Sequence, residues 1–482
     1  MESTQPVTIE EKQKGSYPKS VPYIIGNEAA ERFSFYGMRS ILPTFLVAQF
    51  FNPSNNPAMQ TMAEAQANEQ THFFVALAYT MPLVGGILAD WFFGKYRVIL
   101  YISLIYCLGH LTLALYEHDL QVFTFGLVLI AFGAGCIKSC VSANVGDQFT
   151  ESNQHLMSKV YGWFYFSINA GSVLATIMIP VIYHKYGAAW AFGVPGILMA
   201  LATLIFWFGR NKYRKVPPAG IQRNNFVYIS LYALANLGKK KKGESWLDVA
   251  KANFKEESVE GVKAVYRVLM VFAFIPIFWA MWDQNLSEWV LQAAKMDRNI
   301  FGRELLPEQV QTVNPMFLLT MIPIFTYGVY PLVEKMGIKT TPLRRIGAGL
   351  FLTACSFVII ALIQEQIDNG GTPTIWWQIL AYFLLSAAEV LVSITGLEYA
   401  YTHSPKAMKS TMSAIWFLTV AVGNIFVSMV NSSIADKGFF AQLEGATYFW
   451  FFVGLMMAFV LLFVMVSGKI IERSYIVNEA EV

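Results

Sequence analysis

The residues most suited to chemistry lie in a charged stripe inside an otherwise apolar run over about 21–50. Because a helix turns by about 100° per residue, these side chains share an arc of roughly 140°. Each charge inside a membrane helix costs at least about 2.5–3.5 kcal/mol, so the stripe must face water or charged partners. A structural ion-pair cluster is one interpretation, and a binding or proton-relay surface is the favoured one. The stripe consists of Glu28, Glu31, Arg32, Phe35, Tyr36 and Arg39.

The composition predicts a helical protein that crosses a membrane many times. Of the 482 residues, 55% are hydrophobic and only 14% are charged, whereas about 25% charged residues is usual in soluble domains. The apolar residues form long runs, unlike the alternating strands of a membrane barrel. A net charge of +3 implies no nucleic-acid partner. The four cysteines lie inside apolar runs, without metal-ligand spacing to histidine, so neither a metal nor another cofactor is expected.

Twelve apolar stretches predict an all-α polytopic protein, since most are long enough to cross a bilayer core of about 30 Å. Two sets of six spans around a central cleft are typical of transporters built from repeats. The linker between the sets contains an apolar piece, 226–237, that is too short to span and is expected to form an amphipathic or packing helix. The stretches are 21–50, 71–94, 97–116, 122–145, 158–184, 188–209, 264–290, 312–333, 343–364, 374–402, 408–434 and 445–468.

Lysine and arginine concentrate on alternate loops, which predicts that both termini are cytoplasmic. The loops at 51–70, 117–121 and 365–373 contain neither residue. Because the sequence is polar through Lys19, no cleavable signal peptide is expected. The predicted divisions are a tail over 1–20, a six-helix bundle over 21–209, a linker over 210–263, a second bundle over 264–470 and a tail over 471–482.

Several motifs resemble those of the proton-coupled oligopeptide transporter family, within the major facilitator superfamily, and the resemblance covers nearly the whole chain. It implies the major facilitator fold with twelve transmembrane helices and no extra helix pair in the linker. Two motifs depart from the family pattern: Phe35 replaces a frequent tyrosine, and 138–141 reads Lys-Ser-Cys-Val instead of Lys-Pro-Asn-Val. The matching motifs are Glu28-Ala-Ala-Glu31-Arg32-Phe33 and the segments 86–95, 164–171, 278–284 and 389–398.

A short peptide is a zwitterion, so its pocket needs cations at one end and an anion at the other. Guanidinium suits the carboxylate because its planar fork matches that group. Hydrogen bonding between helices is an alternative role for the two asparagines of the site, and packing is an alternative for Tyr79 and Trp416. The expected contacts include positions that the resemblance implies. They are Arg32, Arg39 and Lys138 for the peptide carboxylate, Glu389, Asn169 and Asn314 for the peptide ammonium, and Tyr36, Tyr79 and Trp416 for the peptide side chains.

Proton coupling is expected at carboxylates and at a histidine, whose charge changes near neutral pH. Lys138 is predicted to pair with Glu28 or Glu31 and to exchange partners with protonation, although a permanent structural pair is an alternative. The resemblance implies that His72 and Asp283 couple protons to gate opening on the extracellular side, and a surface position is the alternative for His72. A cytoplasmic gate or loop clamp is expected at Asp90, Lys95 and Arg97.

The sequence is therefore interpreted as a proton-driven symporter of di- and tripeptides in a cytoplasmic (inner) membrane, with peptide, protons and the lipid bilayer as its partners. One rival function is uptake of another small anion, such as nitrate or an organic acid. Glu389 discriminates between the two, because a site for a bare anion does not need it. A membrane enzyme is disfavoured because no Gly-x-Ser-x-Gly or His-Glu-x-x-His motif occurs. A receptor without transport is disfavoured by the charges along several spans.

Overall fold

The computed structural model describes residues 16–150, 152–220, 224–241, 243–405 and 408–468. Of the predicted N-terminal tail only 16–20 is described, and the predicted C-terminal tail over 471–482 lies outside the described residues. The predicted division of the chain into two bundles, a linker and tails stays a prediction.

The N-terminal set of helices is antiparallel and closely packed. Pro22 lies in the first turn of its first helix, where the missing N–H of proline costs nothing. Asp119 caps the fourth helix by accepting bonds from the backbone nitrogens of Gln121 and Val122, at 3.0 and 3.1 Å. The set comprises α1 (Val21–Leu46), α2 (Gln60–Ile87), α3 (Lys95–Leu115), α4 (Leu120–Asp147), α5 (Met157–Tyr186) and α6 (Ala188–Phe208).

The linker contains α7 (Phe226–Ala235), an apolar helix of 10 residues that is too short to span a membrane. Asp248 ties the linker to the first helix of the C-terminal set, because its carboxylate accepts a bond of 2.6 Å from Lys263. This hydrogen bond lowers the pKa of Asp248 to about 2. The linker is thus attached to the C-terminal set by a charge-assisted bond.

The C-terminal set is more broken than the N-terminal set. The chain bends by 47° between the helices that end at Phe272 and begin at Ile275, and Pro276 accounts for the break because it cannot continue the preceding helix. A short hairpin of β1 (Asn299–Ile300) and β2 (Arg303–Glu304) follows. The helices are α8 (Glu256–Phe272), α9 (Ile275–Trp282), α10 (Glu288–Ala293), α11 (Val313–Ile324), α12 (Tyr330–Lys335), α13 (Pro342–Asp368), α14 (Ile375–Glu389), α15 (Thr395–Thr402), α16 (Lys409–Ala435) and α17 (Ala446–Ser467).

Ten helices among the described residues are long and apolar enough to cross a membrane, and an eleventh results if the bent pair α8 and α9–α10 is one span. Helix α1 is not among these ten. It carries the four charged residues of the stripe, Glu28, Glu31, Arg32 and Arg39, which set it apart from the other long helices. The structure therefore establishes a helical protein with multiple membrane spans.

The two sets meet mainly at one end, which we call the junction end; it contains the turn at 52–59 and residues 288–312. Side-chain hydrogen bonds found between the sets lie toward this end, including Thr312 to Thr176 at 2.9 Å and Ser428 to the backbone oxygen of Glu69 at 3.1 Å. The opposite end, which we call the basic end, contains the turn at 94–95 and the end of α4. Each set has its own hydrophobic core.

Candidate functional site

The charged residues of the α1 stripe are buried, and Glu28, Glu31 and Arg32 form a compact ion cluster within the N-terminal set. Nε of Arg32 lies 2.7 Å from Glu28 and 3.1 Å from Glu31. Helix α5 approaches this part of α1 so closely at Gly171 that a Cβ there would lie 2.6 Å from the backbone oxygen of Ala29. The close approach holds the stripe against α5, so glycine is required at this position of the 164–171 motif.

Lys138 of α4 lies beside this cluster but contacts aromatic rings. Its Nζ is 3.8 Å from the centroid of the Tyr79 ring and 5.1 Å from that of Phe35, as in cation–π interactions. Among the described residues, the predicted ion pair between Lys138 and Glu28 or Glu31 is not formed. The physical reason is that Arg32, on the same helix as both carboxylates, already pairs with them.

Arg39, about two turns further along α1 than Arg32, reaches across to the C-terminal set. Its Nη2 lies 2.6 Å from Oδ1 of Asp283, and both side chains are buried. Oδ2 of Asp283 accepts a bond of 2.7 Å from Asn424 of α16. Arg39 was expected to bind the substrate carboxylate, but in this conformation its Nη2 is committed to Asp283.

His72 of α2 is joined to Asp283 indirectly. Its Nδ1 lies 2.7 Å from Oδ1 of Asn424, and its Nε2 lies 2.8 Å from Oγ of Ser287. The ring is completely buried at the contact between the two sets, so the alternative of a surface histidine is wrong. Arg39, Asp283, Asn424, His72 and Ser287 therefore form one continuous array, which we call the junction network.

Glu389 supplies a negative pole in the C-terminal set. Its Oε2 accepts a bond of 3.0 Å from Nε1 of Trp282 and one of 3.1 Å from the amide of Asn314. Asn314 also donates to Oγ of Ser386 at 3.1 Å. No cation is paired with Glu389 among the described residues, so this carboxylate has only neutral donors.

The side chains between these clusters are only partly buried, although they lie well inside their helical segments. Their partial exposure indicates accessible space beside them. Tyr36 lies near both Arg32 and Glu389. The half-buried residues are Tyr36, Tyr79, Lys138 and Glu389.

Two expected site residues have other contacts in the structure. Asn169 is buried, and its amide donates to the backbone oxygen of Tyr165 in its own helix at 2.9 Å. Trp416 packs within the core of the C-terminal set against Phe272 and against Gly396, where a Cβ would lie 2.6 Å from the indole ring. For Trp416 the geometry therefore matches the packing alternative.

At the basic end, Lys95 does not pair with Asp90. Its Nζ lies 2.8 Å from Asp147 at the end of α4. The side chains of Asp90 and Arg97 are exposed. The backbone oxygen of Asp90 accepts a bond of 3.1 Å from the nitrogen of Gly220, which fastens the turn to the linker. This arrangement resembles the predicted loop clamp, with Asp147 as a member that the sequence analysis missed.

Sequence reasoning also missed partners that bring the predicted residues together. Asn424 bridges His72 to Asp283, Ser287 contacts the other ring nitrogen of His72, and Trp282 donates to Glu389. The sequence signal for such partners is a polar residue within an apolar helix. Many residues fit that description, and tertiary packing determines where each side chain points. Within the described part of the chain, no group of three or more His, Cys, Asp or Glu residues could hold a metal ion.

Known proteins resemble this chain in sequence. A profile of the POT family (PTR2) matches residues 96–451. Peptide transporter 3 of Caenorhabditis elegans is 38% identical over 374 residues, covering 73% of this chain and 52% of that protein. Solute carrier family 15 member 2 of Homo sapiens is 35% identical over 408 residues, covering 80% of this chain and 54% of that protein. The chain thus spans about half the length of these curated relatives.

Solved structures match along nearly their whole length. The in meso crystal structure of the POT family transporter PepTSo has a TM-score of 0.87 and 37% identity, covering 94% of this chain and 99% of that one. An auto-inhibited POT family peptide transporter has a TM-score of 0.86 and 34% identity, covering 96% of this chain and 99% of that one. The fold and the buried charges define a helical, multi-pass membrane protein. The chain belongs to the POT family, which confirms the resemblance found in its motifs.

Proposed function

We propose that the chain is a proton-coupled symporter of di- and tripeptides that works by alternating access. The observation that carries the proposal is the separation of charge across the central space. Arg32 and Lys138 belong to the N-terminal set, whereas Glu389 belongs to the C-terminal set. A peptide zwitterion that spans this space would contact both sets, so its binding energy can favour one arrangement of them. The relatives' names as peptide transporters support the same substrate class.

The ammonium end of the peptide is assigned to Glu389. This carboxylate has neutral donors from Trp282 and Asn314 and lacks a cation of its own. A partly buried carboxylate without a counter-ion is costly within a membrane span, and an incoming ammonium would compensate its charge. A transporter of nitrate or another bare anion would gain nothing from Glu389, which disfavours that alternative.

The carboxylate end is assigned to Arg32 and Lys138, with Tyr36 and Tyr79 beside the peptide. Glu28 and Glu31 neutralise Arg32 in the present conformation. Protonation of either carboxylate would release part of the guanidinium for the substrate. Asn169 and Trp416 retain their proposed substrate roles only if the pocket rearranges, since both now have structural contacts.

Protons would also act at the junction network. Protonation of Asp283 would remove the negative charge that holds Arg39 and would weaken the contact between the sets. With His72 bridging Ser287 and Asn424, the network is suited to link proton binding to opening of the junction end. Substrate and proton must each favour one state for coupling to result.

We further propose that α1, with the bent pair as one span, brings the total to twelve transmembrane helices without an extra pair in the linker. The basic end faces the cytoplasm by the positive-inside rule, so both termini are cytoplasmic. Since the sets meet at the junction end, the structure would represent an inward-facing state in the cytoplasmic membrane.

Uptake into proteoliposomes tests the proposal. Labelled dialanine should accumulate when the outside is acidic and only equilibrate without a pH gradient. Arg32→Ala should abolish accumulation, because the main cation for the peptide carboxylate is lost, while the protein still inserts and elutes as a single species. Accumulation that is independent of the pH gradient would contradict the proposal, as would uptake by Arg32→Ala at the wild-type level. Inhibition of dialanine uptake by nitrate at equal concentration would favour the anion alternative.

A further inference from the structure

The linker helix α7 is apolar on nearly all sides, yet the protein covers only one of its faces. The covered face, with Ile229 and Ala233, belongs to the hydrophobic core of the C-terminal set. The opposite face is exposed, and at about 100° per residue its members lie within an arc of roughly 120°. This exposed face consists of Val227, Tyr228, Leu231, Leu234 and Ala235.

The exposed face of α7 requires apolar surroundings. Val227, Leu231 and Leu234 are 57%, 59% and 51% exposed, whereas a helix that is apolar all round is normally buried. With 10 residues, α7 has about half of the roughly 20 that cross a bilayer. The helix therefore cannot bury this face by spanning the membrane, but it can do so by lying in the boundary between lipid and water.

The contacts of α7 place it beside the edge of an apolar stretch. The hydroxyl of Tyr266 donates a bond of 3.2 Å to Oγ of Ser230, and the Tyr266 ring lies 5.2 Å from that of Phe226. Tyr266 lies at the start of the predicted membrane stretch 264–290. The linker is also fastened to the basic end, where Gly220 bonds the turn after α2. This is the level at which an interfacial helix is expected.

Three exposed lysines, Lys239, Lys240 and Lys241, follow α7 in the chain. In the part of the chain that the structure describes, none of them forms an ion pair. Nζ of Lys239 donates 2.9 Å to the amide oxygen of Asn236, which is neutral. Glu244 contacts the backbone nitrogen of Lys241 at 3.4 Å. The charges of the three lysines therefore remain available, and lysines beside an apolar helix attract anionic lipid headgroups.

We infer that α7 docks with its exposed face in the membrane leaflet at the basic end, and that the three lysines contact headgroups of anionic lipids. The apolar face and the adjacent cations match the two layers of a leaflet, which are acyl chains and negatively charged headgroups. A protein partner would have to supply both surfaces at the edge of a membrane stretch. The docking attaches the linker, and with it the C-terminal set, to one leaflet. The inference does not depend on transport.

A nitroxide label at Leu231→Cys tests the docking in the full-length protein, with the four native cysteines replaced by alanine. The protein is placed in nanodiscs of phosphatidylcholine and phosphatidylglycerol, and collisions of the label with oxygen and with a water-soluble nickel chelate are measured. Because oxygen concentrates in lipid and the chelate in water, a docked label should collide mainly with oxygen. The same label at Glu244→Cys, an exposed position beyond the lysines, should collide mainly with the chelate.

Substitution of the three lysines by glutamine tests the role of the headgroups. Each lysine near an anionic surface contributes about fivefold to docking, so the triple variant should shift the collision ratio of the Leu231→Cys label toward that of the Glu244→Cys label. A matched variant removes three exposed cations around the turn between α12 and α13 and should leave the ratio unchanged. Its substitutions are Lys335→Gln, Lys339→Gln and Arg344→Gln.

Two results at Leu231→Cys would overturn the inference: collisions mainly with the chelate, which would mean that the face meets water, and protection from both reagents, which would mean that protein covers it. Equal ratios in the lysine variant and its matched control would also overturn it. If the cysteine-free protein unfolds, trypsin provides the test on wild type. Cleavage after the three lysines should be slower with phosphatidylglycerol than with phosphatidylcholine alone, and equal slowing at the exposed Lys437 would contradict the docking.

Discussion

The two ends of the molecule hold their charges in different ways. At the junction end, Arg39 and Asp283 are buried and belong to different sets of helices. At the basic end, Lys95 and Asp147 are partly exposed and belong to the same set. A buried pair between sets resists separation, whereas a half-exposed pair within one set does not restrain their relative motion. The comparison identifies the junction end as the barrier of this conformation.

The largest effect is expected at the Arg39–Asp283 pair. Removing one partner of a buried pair leaves an uncompensated charge and costs about 3–5 kcal/mol, so Arg39→Ala and Asp283→Ala should each lower Tm strongly. The double variant should recover most of the loss because no charge is left alone. A double variant as unstable as the sum of the single variants would show that the pair is not coupled, and the comparison of the two ends would fail.

A smaller effect is expected at His72, which bridges the sets through two hydrogen bonds. Each such bond contributes about 0.5–1.5 kcal/mol. His72→Ala should reduce pH-driven uptake of dialanine about tenfold or more, while equilibrium exchange falls less. His72→Gln is the control, since it keeps hydrogen-bonding groups but cannot bind the proton. An unchanged pH profile in both variants would rule out a role in coupling.

The smallest effect is expected at Lys95. A partly exposed ion pair contributes at most about 1 kcal/mol, and Lys95 and Asp147 lie on one set. Lys95→Gln and Asp147→Asn should therefore leave uptake within about twofold of wild type, a change below about 0.5 kcal/mol. A much larger loss of uptake in these two variants would place a second barrier at the basic end. The difference between the two ends of the molecule would then disappear.

The helical class, the repeated spans and the buried stripe on α1 were predictable from the sequence, because long apolar runs and charges within them have few physical solutions. The buried carboxylates and guanidiniums of the stripe, Glu28, Glu31, Arg32 and Arg39, are where the pattern indicated. The family also followed from the motifs.

The choice of partner was not predictable. Lys138 was expected to bind Glu28 or Glu31, but Arg32 is four residues from Glu28 on the same helix and therefore pairs with it directly. Lys95 was grouped with Asp90, whereas the nearest carboxylate in space is that of Asp147. Such pairings depend on rotamers and on helix–helix distances, which the spacing of residues along one helix does not determine.

Binding of dialanine and of N-acetyldialanine to purified wild type and to Glu389→Gln tests the central claim most directly, because the two ligands differ only in the ammonium. Loss of a charge-assisted bond of about 1.5–3 kcal/mol should weaken binding of free dialanine by about tenfold to a hundredfold. The acetylated peptide should bind wild type weakly, because it lacks the ammonium, and should be affected little by the substitution. Equal weakening of both ligands would contradict the assignment of Glu389 to the peptide amine, and with it the separation of charge on which the proposed function rests.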